Sequence, residues 1–91
     1  MSKSIFIRVI FVKTYLLVWF NSEGASPSEV NRRLLSLGFK PIQGYYDYVY
    51  EWGNNVHVEE ILQFGDKVHL SLNGLGVIFK IETIDGKKET D

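Results

Sequence analysis

The sequence predicts an α+β domain in which two helices cover one face of a four-stranded antiparallel sheet, with elements in β-α-β-β-α-β order. Three observations carry this. Tyr46, Tyr48, Tyr50 and Trp52 recur at every second position, a period that a pleated strand turns into a row on one face. Ser26-Pro27-Ser28-Glu29 is a helix start with a mechanism: the serine can accept from the free N–H of Glu29, and proline fits the first helical position. Val58, Ile61, Leu62, Gly65, Val68 and Leu72 follow helical spacing ahead of Asn73-Gly74.

The first strand lies within Ile5 to Phe20, a run rich in Ile, Val, Phe, Tyr and Trp and apolar on both alternating sets. Such a run suits a central strand covered on both sides in its second half. Tyr15 to Phe20 is its firmest part. After the loop Asn21 to Ala25, the first helix places Val30, Leu34, Leu35 and Leu37 on its apolar face and turns Asn31, Arg32, Arg33 and Ser36 outward. Gly38 closes it, because glycine tolerates the left-handed backbone of a helix end.

Phe39 to Gln43 is a short strand that Pro41 confines to an edge, since proline cannot donate to a ladder. Gly44 allows a turn, and the aromatic strand then runs from Tyr45 to Trp52. Gly53-Asn54-Asn55 ends it, with either asparagine able to cap the next helix. The segment Val56 to Asn73 admits two readings. As one long helix it completes the β-α-β-β-α-β order, with Glu59 and Glu60 near its start and Lys67 near its end, as the helix dipole favours. As a strand, Leu72, Leu70 and Val68 would face Leu75, Val77 and Phe79 in turn across an Asn73-Gly74 hairpin, giving β-α-β-α-β-β order. The long helix is preferred. Gly76 to Ile84 is the last strand, with Val77, Phe79 and Ile81 on one side and Ile78, Lys80 and Glu82 on the other. The single domain thus spans residues 1–84, and residues 85–91, polar and without apolar anchors, form a flexible tail. The element order is that of ferredoxin-like domains.

Composition bounds the function. The 91 residues are 45% hydrophobic with a formal net charge of -1, the mark of a single compact domain with no surplus of basic residues for gripping phosphates. Cysteine is absent, which removes thiol nucleophiles, thiolate metal sites and disulfides, and accords with a cytoplasmic home. Arg8 and Lys13 interrupt the N-terminal apolar run, and each would cost about 2.5 to 3.5 kcal/mol near a bilayer centre, so no membrane role is expected.

No motif for catalysis, metal or cofactor stands out. His57 and His69 lie twelve positions apart and make no local chelating pair, so neither metal nor cofactor is expected. Adjacent Glu59 and Glu60 diverge on a helix and suit a solvated face. Gly74-Leu75-Gly76 and Asn21 to Ala25 could offer N–H groups to an anion, but turn geometry accounts for both. Arg32, Arg33 and Lys40 could form a small basic patch. Among domains of this element order, RNA-recognition modules are matched only in the glycine and aromatics of Gly44 to Trp52, with Asp47 and Glu51 intruding. Asn21 to Ala25 holds no arginine such as small acylphosphatases use, and Asn21 stands where CRISPR-associated endonucleases of this shape place a metal-binding aspartate.

What remains is a small non-enzymatic binding or assembly module that self-associates through sheet surface into a homo-oligomer. The expected partner-binding residues are Tyr46, Tyr48, Tyr50, Trp52 and Ile78, although the row would pack against Val30, Leu34 and Leu62 if it faced the helices, the slightly preferred orientation. Two alternatives stand behind this. One is single-stranded nucleic-acid binding by stacking on the aromatic strand, disfavoured by charge. The other is a metal-dependent enzyme using Asn21, Glu23 or Glu82 at strand ends.

Overall fold

A computed structural model describes residues 7–53 and 55–90. Along the chain run β1 (Ile7–Trp19), α1 (Pro27–Ser36), β2 (Lys40–Pro41), β3 (Tyr48–Gly53), α2 (Val58–Leu72) and β4 (Ile78–Thr90). The four strands form one sheet in the order β2-β3-β1-β4, every neighbouring pair antiparallel. The protein is therefore a small α+β domain. Among the described residues, no helix is long and apolar enough to cross a membrane.

The first helix starts as its sequence dictates. Ser26 is the N-cap, its hydroxyl accepting from the Glu29 N–H at 3.3 Å, and Pro27 opens the helix. Glu29 does not close a capping box. Its carboxylate instead takes a hydrogen bond from Arg33, whose other terminal nitrogen donates to the Ser71 carbonyl at 2.9 Å and so ties α1 to the end of α2. Val30 and Leu34 are fully buried, while Leu35 faces out. Gly38, at φ +104°, follows the cap, and a Cβ there would lie 2.8 Å from the Tyr50 ring, so both conformation and packing require glycine.

The segment after β3 is a helix, which removes the hairpin alternative. Phe64, Val68 and Leu72, spaced four apart, are buried on one stripe, whereas Leu70 is exposed, so the alternation of Val68, Leu70 and Leu72 has no structural role. Asn73 is the C-cap. At the other end the N-cap is His57, without a side-chain cap bond, rather than either of the asparagines expected to fill that place; Asn54 itself lies outside the described residues.

The core lies between the helices and one face of the sheet, where Leu16 and Val18 of β1 meet Val30 and Leu34 of α1, Phe64, Val68 and Leu72 of α2, and Phe39. Among the described residues, Thr14 is the one buried polar residue. Its hydroxyl accepts from the Trp52 indole N–H at 2.8 Å and pairs with the Thr83 hydroxyl at 2.8 Å. An indole N–H left unpaired in such a place costs about 1 to 3 kcal/mol, so this threonine fixes where Trp52 sits. The β1–β3 register slips between Val12 and Lys13, which leaves Trp52 as an extra residue on β3.

Two expectations about strands are corrected. β1 is central, but it is not covered on both sides: Val12, Thr14, Leu16 and Val18 are buried, while Trp19 on the alternate set is 51% exposed. The polar segment expected to be a tail continues β4. Asp85–Thr90 pairs with Ile7–Val12, beyond the point where β3 ends opposite Val12. Backbone hydrogen bonding joins two strands whatever their side chains, so the lack of apolar anchors did not end the strand.

Candidate interaction surface

The two faces of the sheet divide the aromatic residues between core and surface. Tyr48, Tyr50 and Trp52 point to the helices, as the preferred orientation required. Tyr48 is 7% exposed, and its hydroxyl donates to the Asn31 side-chain oxygen at 2.6 Å. Burial, and then the nearby Asp47 charge, pushes the Tyr48 phenol above its ordinary pKa. Phe64 stands at the centre of the cluster, with ring centroids 4.3 Å from Tyr50, and 5.3 Å from both Trp52 and Phe39. Tyr48 is core, and Tyr50 and Trp52, half-buried, pack against that core on the helix side, so the three do not form one open stacking row with Tyr46.

Tyr46 departs from the row. The chain bends through residues 43–45, and β3 starts only at Tyr48, so the two-residue alternation does not extend back to Tyr46. Asp47 holds the departure in place. Its N–H donates to the Leu16 carbonyl at 2.9 Å, its carbonyl accepts from Ile42, and its carboxylate accepts from the Val18 N–H at 3.0 Å. A side chain thus takes over where the backbone ladder would have continued. Tyr46 is carried to the opposite face, stacks on Tyr15 at 4.6 Å and donates its phenol proton to Glu82. The hydrogen bond to that carboxylate is the main reason its pKa is raised to about 12, so the phenol stays a donor throughout the physiological range.

Among the described residues, that opposite face carries no helix. It carries half-buried Tyr15 and Leu17 and exposed Trp19 of β1 beside their β4 partners Glu82, Lys80 and Ile78, while Val49 of β3, next to Tyr15, is itself buried. Ile78 is 71% exposed and sits across from Trp19, with Phe20 also exposed at the end of β1. Toward the other end, Ile84 lies opposite Lys13. Of the expected partner-binding residues, then, only Tyr46 and Ile78 share this surface. Tyr15, Leu17 and Trp19 were missed, although the two-residue alternation that buries Leu16 and Val18 would have set them apart.

The remaining candidates do not converge. Asn21 and Glu23 belong to one turn, where the Glu23 N–H donates to the Asn21 side chain at 2.9 Å, whereas Glu82 lies within β4 opposite Tyr15 rather than at a strand end. The two glycine-containing loops do meet, but they satisfy each other: the Ala25 N–H donates to the Leu75 carbonyl at 2.8 Å, and a Cβ on Gly24 would lie 2.6 Å from that same oxygen. Close backbone packing thus accounts for these glycines. Arg33 is committed to Glu29 and Ser71, which leaves Arg32 and Lys40 short of a patch. Among the described residues, no three of His, Asp and Glu come together as a metal site would need.

No protein-family model, curated protein or solved structure matches the chain.

Proposed function

We propose that the protein is a non-enzymatic assembly module whose copies associate through the helix-free side of the sheet. One observation carries this reading. Trp19 and Ile78, large apolar residues directly opposite each other on two paired strands, are both more than half exposed. Contiguous apolar surface of this kind marks contact sites more often than idle surface. The polar groups beside it suit an interface as well, since Tyr46 and Glu82 already satisfy each other and Lys80 lies 3.7 Å from Glu82.

The fold belongs to this reading. We take the arrangement as ferredoxin-like, supported by the β-α-β-β-α-β order and by a sheet whose two central strands, β1 and β3, each begin one β-α-β half. Such a sheet has helices on one side only, so covering the other side falls to a partner. Light scattering on a dilution series in the micromolar range tests the proposal. The expected result is a mass that rises with concentration above the 10.5 kDa of one chain; a strict monomer at every concentration overturns it.

A further inference from the structure

Resting on the self-association proposed above but using a second contact, which leaves the helix-free face open, we infer that two copies join edge to edge through β4, antiparallel about a twofold axis at Ile81, to make one continuous eight-stranded sheet. β4 is the last strand in the sheet order, and among the described residues nothing pairs with its outer edge. An edge of this length displays a row of backbone donors and acceptors that a second strand can complete.

The side chains select both the direction and the register. In the first half of β4, the helix-free side reads Ile78, Lys80, Glu82, Ile84, a series symmetric in hydrophobicity and opposite in charge about Ile81. Antiparallel pairing centred on Ile81 sets Lys80 of each copy directly opposite Glu82 of the other, and Ile78 opposite Ile84. An isologous twofold contact needs this kind of self-complementarity. A shift by two residues in either direction would bring Lys80 against Lys80 or Glu82 against Glu82, and parallel in-register pairing would do both. A shift by one would set one copy's helices on the other's open side. Of these registers, the one centred on Ile81 places Lys80 and Glu82 opposite their counter-ions and Ile78 opposite Ile84. Charges on an edge strand ordinarily discourage pairing; here their order makes one pairing favourable and its near neighbours unfavourable.

The experiment uses the full chain with Lys80→Glu, at an exposed position, and Glu82→Lys, which also gives up the Tyr46 hydrogen bond and is therefore measured beside Tyr46→Phe as the control for that loss. Each variant alone sets like charges opposite each other in the twofold pair, and its self-association should weaken roughly tenfold or more at low salt. An equimolar mixture of the two variants should recover association, because each then faces the opposite charge on its partner. The double variant, Lys80→Glu with Glu82→Lys, should associate like the wild type. If the wild type associates but the single variants do so equally well, or if mixing them recovers nothing, the β4 pairing is overturned while association through the open face stands. A wild type that stays monomeric at every concentration overturns both.

Discussion

Replacing Tyr48 with alanine is expected to lower stability by about 3 to 5 kcal/mol, the range for removing a buried aromatic ring. Tyr48 lies 7% exposed among Phe39, Leu16 and α1, and its hydroxyl is bonded to Asn31, so truncation opens a cavity and strands a polar partner. For a domain of this size the loss corresponds to a fall in Tm of roughly 12 °C or more. Tyr48→Phe keeps the ring and should cost only the hydrogen bond, about 0.5 to 1.5 kcal/mol. Thermal or urea unfolding of the two variants separates ring from hydroxyl. A Tyr48→Ala protein as stable as the wild type, but unable to associate, would return the aromatic row to the surface.

Phe64→Ala carries a loss of the same size, about 3 to 5 kcal/mol, for a different reason. This ring is the point at which α2 meets β3, touching Tyr50, Trp52 and Phe39 together, and no neighbour can collapse into its place without pulling the helix off the sheet. Leu62→Ala on the same helix is the control. Leu62 is 64% exposed, and its loss should stay within about 0.5 kcal/mol. Unfolding curves in which Leu62 mattered more than Phe64 would mean that α2 is rotated from the position described.

That pair of residues also shows where sequence reading stops. Helical periodicity identified α2, but the stripe chosen from it ran through Val58 and Leu62, which are exposed, and missed Phe64. Several apolar residues lie on each turn of this helix, so spacing alone does not say which stripe meets the sheet; the choice is made by the rings of β3, a tertiary contact. The first helix was legible to its ends, because its cap and its closing glycine act within a few residues of one another. The hairpin reading was open for the same local reason: Asn73-Gly74 serves a helix end as well as a turn, and only the burial of Val68 and Leu72 without Leu70 separates the two.

The candidate surface was legible in half. Ile78 could be placed because the alternation in the last strand is clean, with Val77, Phe79 and Ile81 on the core side. The contribution of β1 was hidden by its composition, since Tyr15, Leu17 and Trp19 are as apolar as the buried residues between them. Tyr46 was misplaced because its departure from the row depends on Asp47 bonding to Leu16 and Val18, far away in sequence. No two-residue pattern reports a bond of that kind.

In the proposed assembly, one side of the sheet holds the fold together and the other holds copies together. Ile78→Ser tests it most directly, with melting and light scattering measured on the same sample beside the wild type. Ile78 is 71% exposed on the helix-free face, so the variant should keep stability within about 0.5 kcal/mol of the wild type and shift clearly toward the monomer mass. An Ile78→Ser protein that unfolds as readily as Tyr48→Ala, or that associates as strongly as the wild type, would contradict it.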